Sequence, residues 1–131
     1  MWYRSPLIAR ILIAGPEEHC LRVEIPFDEA GMFHIADGRR LATWTDAILV
    51  DQTADGEFVR ARVASDDPAV GPLVCTARSA KGGIQPPIVI FDGWHRAATW
   101  VAHSRRGLNY PIVADLILTN GVPPLLGTLQ P

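Results

Sequence analysis

The chain has 131 residues, enough for one domain with a buried core. Hydrophobic residues make up 48% and charged residues 20%, the balance of a soluble globular protein, and a formal net charge of -2 excludes a broadly basic nucleic-acid surface while leaving room for a local basic patch. No apolar run approaches the roughly 18 residues of a membrane span.

The start, Met1-Trp2-Tyr3-Arg4-Ser5-Pro6 and then Leu7 to Ala14, has a passing likeness to a signal peptide, but Arg10 interrupts it and no cleavage site is convincing. We therefore expect a cytoplasmic protein with no membrane contact, in which Cys20 and Cys75 are reduced, half-buried thiols. Leu7–Ala14 and Leu21–Ile25 read as strands joined through Gly15-Pro16-Glu17-Glu18 as a hairpin. Pro26 closes the second strand, and Phe27-Asp28-Glu29 starts a short helix. Gly31 and Gly38 break the segment after it. Leu41, Trp44, Ile48 and Leu49 give Arg39–Leu49 a helical pattern, against a competing strand over Ala47–Val50.

Thr53-Ala54-Asp55-Gly56 reads as a turn, and Glu57–Ala64 alternates like a strand. Asp66-Asp67-Pro68 has the form of a helix start, an aspartate cap with proline in the first turn, and predicts a helix to about Ser79. Lys81-Gly82-Gly83 ends it. Pro86-Pro87 forces extended backbone before the strand Ile88–Phe91. The next helix runs from Trp94 to Arg106, with Ala97, Ala98, Val101 and Ala102 as its inner stripe and Trp100 at one border. Arg105 and Arg106 suit its C-terminal end, read as solvated, and Gly107 stops it. Pro111–Leu118 is a strand. The segment 120–131 reads as a loosely held tail. No linker divides the chain, so residues 1–131 form one domain: α+β, a small mixed sheet with packed helices. Ile35–Trp44 echoes Ile90–Trp100 with a one-residue gap, as a duplicated half-motif or as chance.

The junction Asp92-Gly93-Trp94-His95-Arg96 carries the clearest chemical signal. A helix start favours negative charge, so an arginine in the first turn calls for a reason. An anion on the free amides would supply one, with Arg96 forking onto its oxygens. Gly93 would let the backbone turn and approach a ligand, Asp92 would cap the helix, and His95 could donate a hydrogen bond or shuttle a proton. Trp94 could stack on a base or plug the core. The plainer alternative has Arg96 paired with a surface acid and Trp94 as packing. The anion reading fails if the guanidinium is buried against a carboxylate of its own chain with the neighbouring amides occupied. His19, His34 and His103 with the two cysteines make no metal spacing, so no metal site is expected. Asp66-Asp67 reads as a helix start rather than a metal pair, and Asp28 and Glu29 are at most a distant acid or base.

The order of strand, Asp-Gly-x-His-Arg, alanine-rich helix, glycine and proline-led strand resembles the ParB/sulfiredoxin superfamily, in its Asp-Gly-x-His-Arg, ParB-like nuclease branch. The likeness covers about residues 68–119. It implies a nucleotide- or phosphate-binding domain in which Gly93, Trp94, His95 and Arg96 hold phosphate at the helix start, with His95 and Asp92 as candidate catalytic groups. Sulfiredoxins carry a Lys-Gly before the turn, and Lys81-Gly82 lies at a similar spacing; Lys81 would neutralise a second phosphate, or simply face solvent in a glycine loop. Sulfiredoxins place a cysteine before the His-Arg pair where this chain has Trp94, so sulfinic acid reduction is excluded. The implied ligands are ATP or CTP with Mg²⁺ joining through the phosphates, and the implied reaction is phosphoryl transfer or nuclease-like hydrolysis. The alternative is a non-catalytic module of the same fold, regulatory or immunity-type, binding nucleic acid or a protein partner.

Overall fold

Along Ile112–Leu118 every second residue from Ile112 onward is buried, and Asp115 and Ile117 between them reach solvent. That period of two is the signature of a strand with one covered face. The computed structural model describes residues 10–14, 20–80 and 83–118. In chain order they form β1 (Arg10–Ala14), β2 (Cys20–Ile25), a 3-10 turn (Phe27–Met32), β3 (Phe33–Ile35), α1 (Leu41–Leu49), α2 (Ala54–Ala64), β4 (Leu73–Ala80), β5 (Gly83–Asp92), α3 (Trp94–Arg105) and β6 (Ile112–Leu118).

The strands make one mixed sheet of six in the order β1-β2-β6-β4-β5-β3, with helices packed against it. β1, β2 and β6 are antiparallel neighbours, β6 and β4 run parallel, β4 and β5 are antiparallel, and β5 and β3 are parallel. The expected hairpin of the first two strands is present; its turn lies outside the described residues. Leu73, Cys75 and Ala77 of β4 face Ile88 and Ile90 of β5 and Ala114 and Leu116 of β6 in a continuous buried layer. Trp100 lies within this core rather than at its border: it meets Phe33 edge-on at 5.8 Å, and its indole N–H donates to the carbonyl of Tyr110 at 2.7 Å.

Two segments differ from their sequence reading. The stretch expected to be helical from Asp66 to Ser79 is a loop as far as Pro72 and then β4. Asp66 takes a left-handed backbone, φ 62°, and its carboxylate pairs with Arg106 at 2.9 Å instead of capping a helix. The apolar residues Leu73, Cys75 and Ala77 then keep the strand period, and pairing on both sides makes β4 a central strand. Conversely, Glu57–Ala64, which alternates in residue type, belongs to α2. Thr53 caps that helix, its hydroxyl accepting from the amide of Gly56 at 3.4 Å, and Asp55 and Glu57 sit in the first turn, where negative charge is favoured. Gly56 is no turn residue: a Cβ there would lie 2.2 Å from the Asp51 carbonyl oxygen, so its absence lets α2 pack tightly on the end of α1. In the preceding contest the helix wins over the strand, as α1 runs from Leu41 to Leu49.

β5 begins earlier than Ile88 and carries Pro86 and Pro87 within it. Prolines lack the amide a ladder needs, and here β3 pairs only Ile88, Val89 and Ile90 while the β4 register shifts between Thr76 and Arg78. The echoing segments occupy like positions. β3 and β5 lie parallel with Ile35 opposite Ile90, each leads through an Asp-Gly with a left-handed glycine (Gly38 φ 95°, Gly93 φ 93°), and each then gives way to a helix.

Cys75 is fully buried, not half-buried, and free; burial, and then the charge of Asp115, push its thiol well above the ordinary value. The side chain of Cys20 and the segment 119–131 lie outside the described residues. The C-terminal arginines of α3 are paired rather than simply solvated: Arg105 bridges to Asp46 of α1, and Arg106 to Asp66.

Candidate functional site

Asp92 ends β5, and Gly93 turns the chain directly into α3. The cap is therefore Gly93, not Asp92 as the sequence suggests. With φ 93° and ψ 24° it occupies a conformation that side chains resist, and a Cβ there would stand 2.7 Å from Leu73 Cδ2. No side chain caps α3. Its first intrahelical bond runs from the Ala97 amide to the Gly93 carbonyl at 2.9 Å, so the amides of Trp94, His95 and Arg96 precede the helical ladder.

These residues open onto a cleft of about 470 Å³. One wall is the end of β5 and the first turns of α3, from Phe91 to Arg96 with Thr99; the other is α2, through Phe58 and Arg62. Asp92 lies exposed in this wall, and among the described residues its carboxylate has no hydrogen-bond partner. Lys81 lies outside the described residues, as do the side chains of Asp28 and Glu29.

Arg96 is partly exposed and, among the described residues, is not paired with a carboxylate. One guanidinium nitrogen donates to the carbonyls of Pro72 at 3.1 Å and Val70 at 3.4 Å, tying α3 to the loop before β4. Neutral carbonyls hold the group without cancelling its charge. This gives the first-turn arginine a structural task that the sequence could not reveal, and it leaves the guanidinium at the cleft.

His95 meets a partner forty residues earlier. Its Nε2 lies 3.0 Å from Oδ1 of Asp55, in the first turn of α2, and its ring packs at 5.2 Å on Phe58. An ionised carboxylate only accepts, so Nε2 carries the proton and Nδ1 is left for another group. Arg62 sits 5.9 Å above the same Phe58 ring. Asp55, Phe58 and Arg62 recur at i, i+3 and i+7, one face of a helix. Reading the segment as a turn and a strand hid all three; the Thr53 cap with acids just after it was the signal that could have found them.

Trp94 is fixed by its own fold. Its indole N–H donates to the Ile90 carbonyl at 3.0 Å, and its ring meets Trp44 edge-on at 6.0 Å, which leaves 37% of the residue exposed in the cleft. It holds α3 against α1 as well as lining the site.

The remaining histidine with buried contacts is structural. His103 is fully buried; its Nε2 donates to the Val63 carbonyl at 3.2 Å, and its Nδ1 lies 2.7 Å from the Tyr110 hydroxyl, which accepts from the Ala69 amide at 2.8 Å. Among the described residues no group of three or more His, Cys, Asp or Glu could hold a metal ion, and no helix is long and apolar enough to cross a membrane. Compared with protein-family models, curated proteins and solved structures, the chain matches none.

Proposed function

We propose that the chain is a ParB/sulfiredoxin-like domain that binds a nucleotide or another phosphate-bearing ligand at the start of α3. One observation carries the reading: an uncapped helix start, entered through a left-handed glycine, opens into a cleft beside two guanidinium groups, Arg96 and Arg62. Orphan amides and the helix dipole favour an anion there, and arginine forks suit phosphate oxygens. Neither condition that would sink the anion reading is met among the described residues, since Arg96 rests on carbonyls and no side chain there caps the helix.

In this reading the amides of the first turn and Arg96 bind the phosphate, Arg62 adds charge from the opposite wall, and His95, held by Asp55 through Nε2, positions or protonates an oxygen through Nδ1 when its ring carries both protons. Mg²⁺ would join through the phosphates, with the unpartnered Asp92 carboxylate beside it. The reaction class would be phosphoryl transfer or nucleotide hydrolysis, in a cytoplasmic protein. Lys81 stays a candidate for a second phosphate.

Calorimetric titration with ATP, CTP and ADP, with and without Mg²⁺, tests the reading. Micromolar binding is expected, weakened by about tenfold or more in Arg96→Lys, a change that keeps a donor for the carbonyl contacts but loses the fork. No binding by the folded wild type overturns it. The second reading, a non-catalytic module for nucleic acid or a protein, draws on the exposed rings at the cleft; salt-sensitive DNA binding without nucleotide binding would favour it.

A further inference from the structure

Six large apolar side chains are exposed among the described residues, and three of them, Phe58, Phe91 and Trp94, line this one cleft. Phe58 is 51% and Phe91 55% exposed. Scattered exposed apolar residues need no explanation, but aromatic rings gathered in a concave site beside charge do. None of the core demands them: Phe91 and Phe58 lie outside the buried cluster.

We propose that Phe58 of α2 and Phe91 at the end of β5 are specificity-determining residues that receive the planar ring of a nucleotide-like anion, so that the site selects nucleotides over bare polyphosphates. This rests on the anion reading above and deepens it, because the phosphate contacts alone would accept any polyphosphate.

The cleft's size fits a small molecule: about 470 Å³ falls within the range of roughly 300–1,000 Å³ typical of such sites. Its charge fits an anion, with guanidinium groups on both walls, Arg62 on α2 and Arg96 on α3. Its rings fit a planar group. Phe58 already carries one planar cation, Arg62 at 5.9 Å, and one heteroaromatic ring, His95 at 5.2 Å, so it is placed among partners of the kind that stack on bases. Phe91 has no ring partner among the described residues. The two rings stand on opposite walls: Phe58 comes from α2, outside the segment 68–119 that carries the Asp-Gly-x-His-Arg likeness, and Phe91 ends β5 beside the turn itself.

The test compares ATP, GTP and CTP with inorganic tripolyphosphate, and with a short single-stranded oligothymidine, by calorimetry on the full chain. The wild type is expected to bind at least one nucleotide about tenfold or more tightly than tripolyphosphate, the scale of one good stacking contact. Phe91→Ala should erase most of that preference while leaving tripolyphosphate affinity within about twofold, and Phe58→Ala should lower nucleotide affinity by a larger factor than tripolyphosphate affinity. Val50→Ala, an exposed residue outside the cleft, should change neither. Circular dichroism checks that each variant folds, and Phe58→Leu, which keeps bulk without a ring, should lose the preference as the alanine does. Equal affinity for nucleotide and tripolyphosphate overturns the proposal and leaves the anion reading standing. Binding of neither overturns both. Oligothymidine bound more tightly than every mononucleotide overturns the proposal in favour of a single-stranded nucleic acid.

Discussion

Asp55 and His95 meet at 3.0 Å across the facing starts of α2 and α3. Each is the second residue of its helix, so two helix N-termini approach one another with a carboxylate on one and an imidazole on the other. The two side chains are 66% and 43% exposed, so the pair adds little to stability, on the order of 0.2–1 kcal/mol. Its effect is geometric: the carboxylate on one side and Phe58 on the other fix where the imidazole points.

That arrangement predicts a tautomer. Long-range ¹H–¹⁵N spectra of the wild type at pH 8 should show His95 protonated at Nε2 when neutral, and Asp55→Ala should give a mixture of tautomers with a melting temperature lowered by no more than about 5 °C. A neutral ring protonated at Nδ1 in the wild type would contradict the pairing.

Gly93 and Gly107 offer a matched pair of substitutions. Both glycines are left-handed, with φ 93° and 87°, but a Cβ at Gly93 would press on Leu73 while one at Gly107 would meet nothing within 4 Å. Gly107→Ala should cost about 1–2 kcal/mol from backbone strain alone. Gly93→Ala should cost about 2–4 kcal/mol, since steric overlap adds to that strain. Urea denaturation measures both, and equal losses would mean that Leu73 yields at no cost.

Tyr110 links three parts of the fold through one hydroxyl. The Val63 carbonyl can only accept, so His103 donates from Nε2, and the phenol, already accepting from Ala69, donates to Nδ1. Tyr110→Phe should therefore cost about 1–3 kcal/mol by stranding the groups it serves. Burial raises the phenol above its ordinary 10.0, against smaller opposing effects of the Ala69 amide and Arg62. The neutral form is thus favoured in the folded state. Its contribution is complete below about pH 10 and declines as pH rises beyond the unfolded value, because the unfolded chain releases that proton first. Absorbance at 295 nm during alkaline titration should show a late tyrosine that is missing in Tyr110→Phe.

Cys75 should be chemically silent. Its thiol is buried, and both burial and Asp115 disfavour the thiolate, the reactive form. Iodoacetamide at pH 8 should leave Cys75 unmodified in the native protein and label it after guanidinium unfolding, as read by peptide mass spectrometry. Labelling in the native state at the unfolded rate would show that β4 opens.

Much of the framework was legible in residue order, and the reasons for the failures are local. α3 and β6 were readable because their ends are marked, by Gly93 and Gly107 for the helix and by Pro111 for the strand, and because β6 keeps a period of two. β4 was not, because Asp66-Asp67-Pro68 has the composition of a helix start, and nothing in residue types discloses that Asp66 adopts φ 62° to reach Arg106. α2 was misread because Gly56 looks like a turn until the neighbouring backbone that excludes a Cβ is seen. At the site, Gly93, His95 and Arg96 could be singled out from the Asp-Gly-x-His-Arg run. Asp55, Phe58 and Arg62 could not, since their role depends on α2 facing α3, and Arg96's carbonyl partners lie in a loop without regular structure.

The two Asp-Gly junctions begin from one local instruction and end differently. At the first, the Asp37 carboxylate accepts from the amide of Arg39 at 3.0 Å and from its guanidinium at 2.8 Å, and Arg40 bridges back to His34. That bend consumes its own donors and holds its acid below the usual carboxylate range. At the second, the helix begins directly after the glycine, before any such clip can form. The first acid is tied off by its neighbour, and the second, Asp92, is left facing the cleft between α2 and α3.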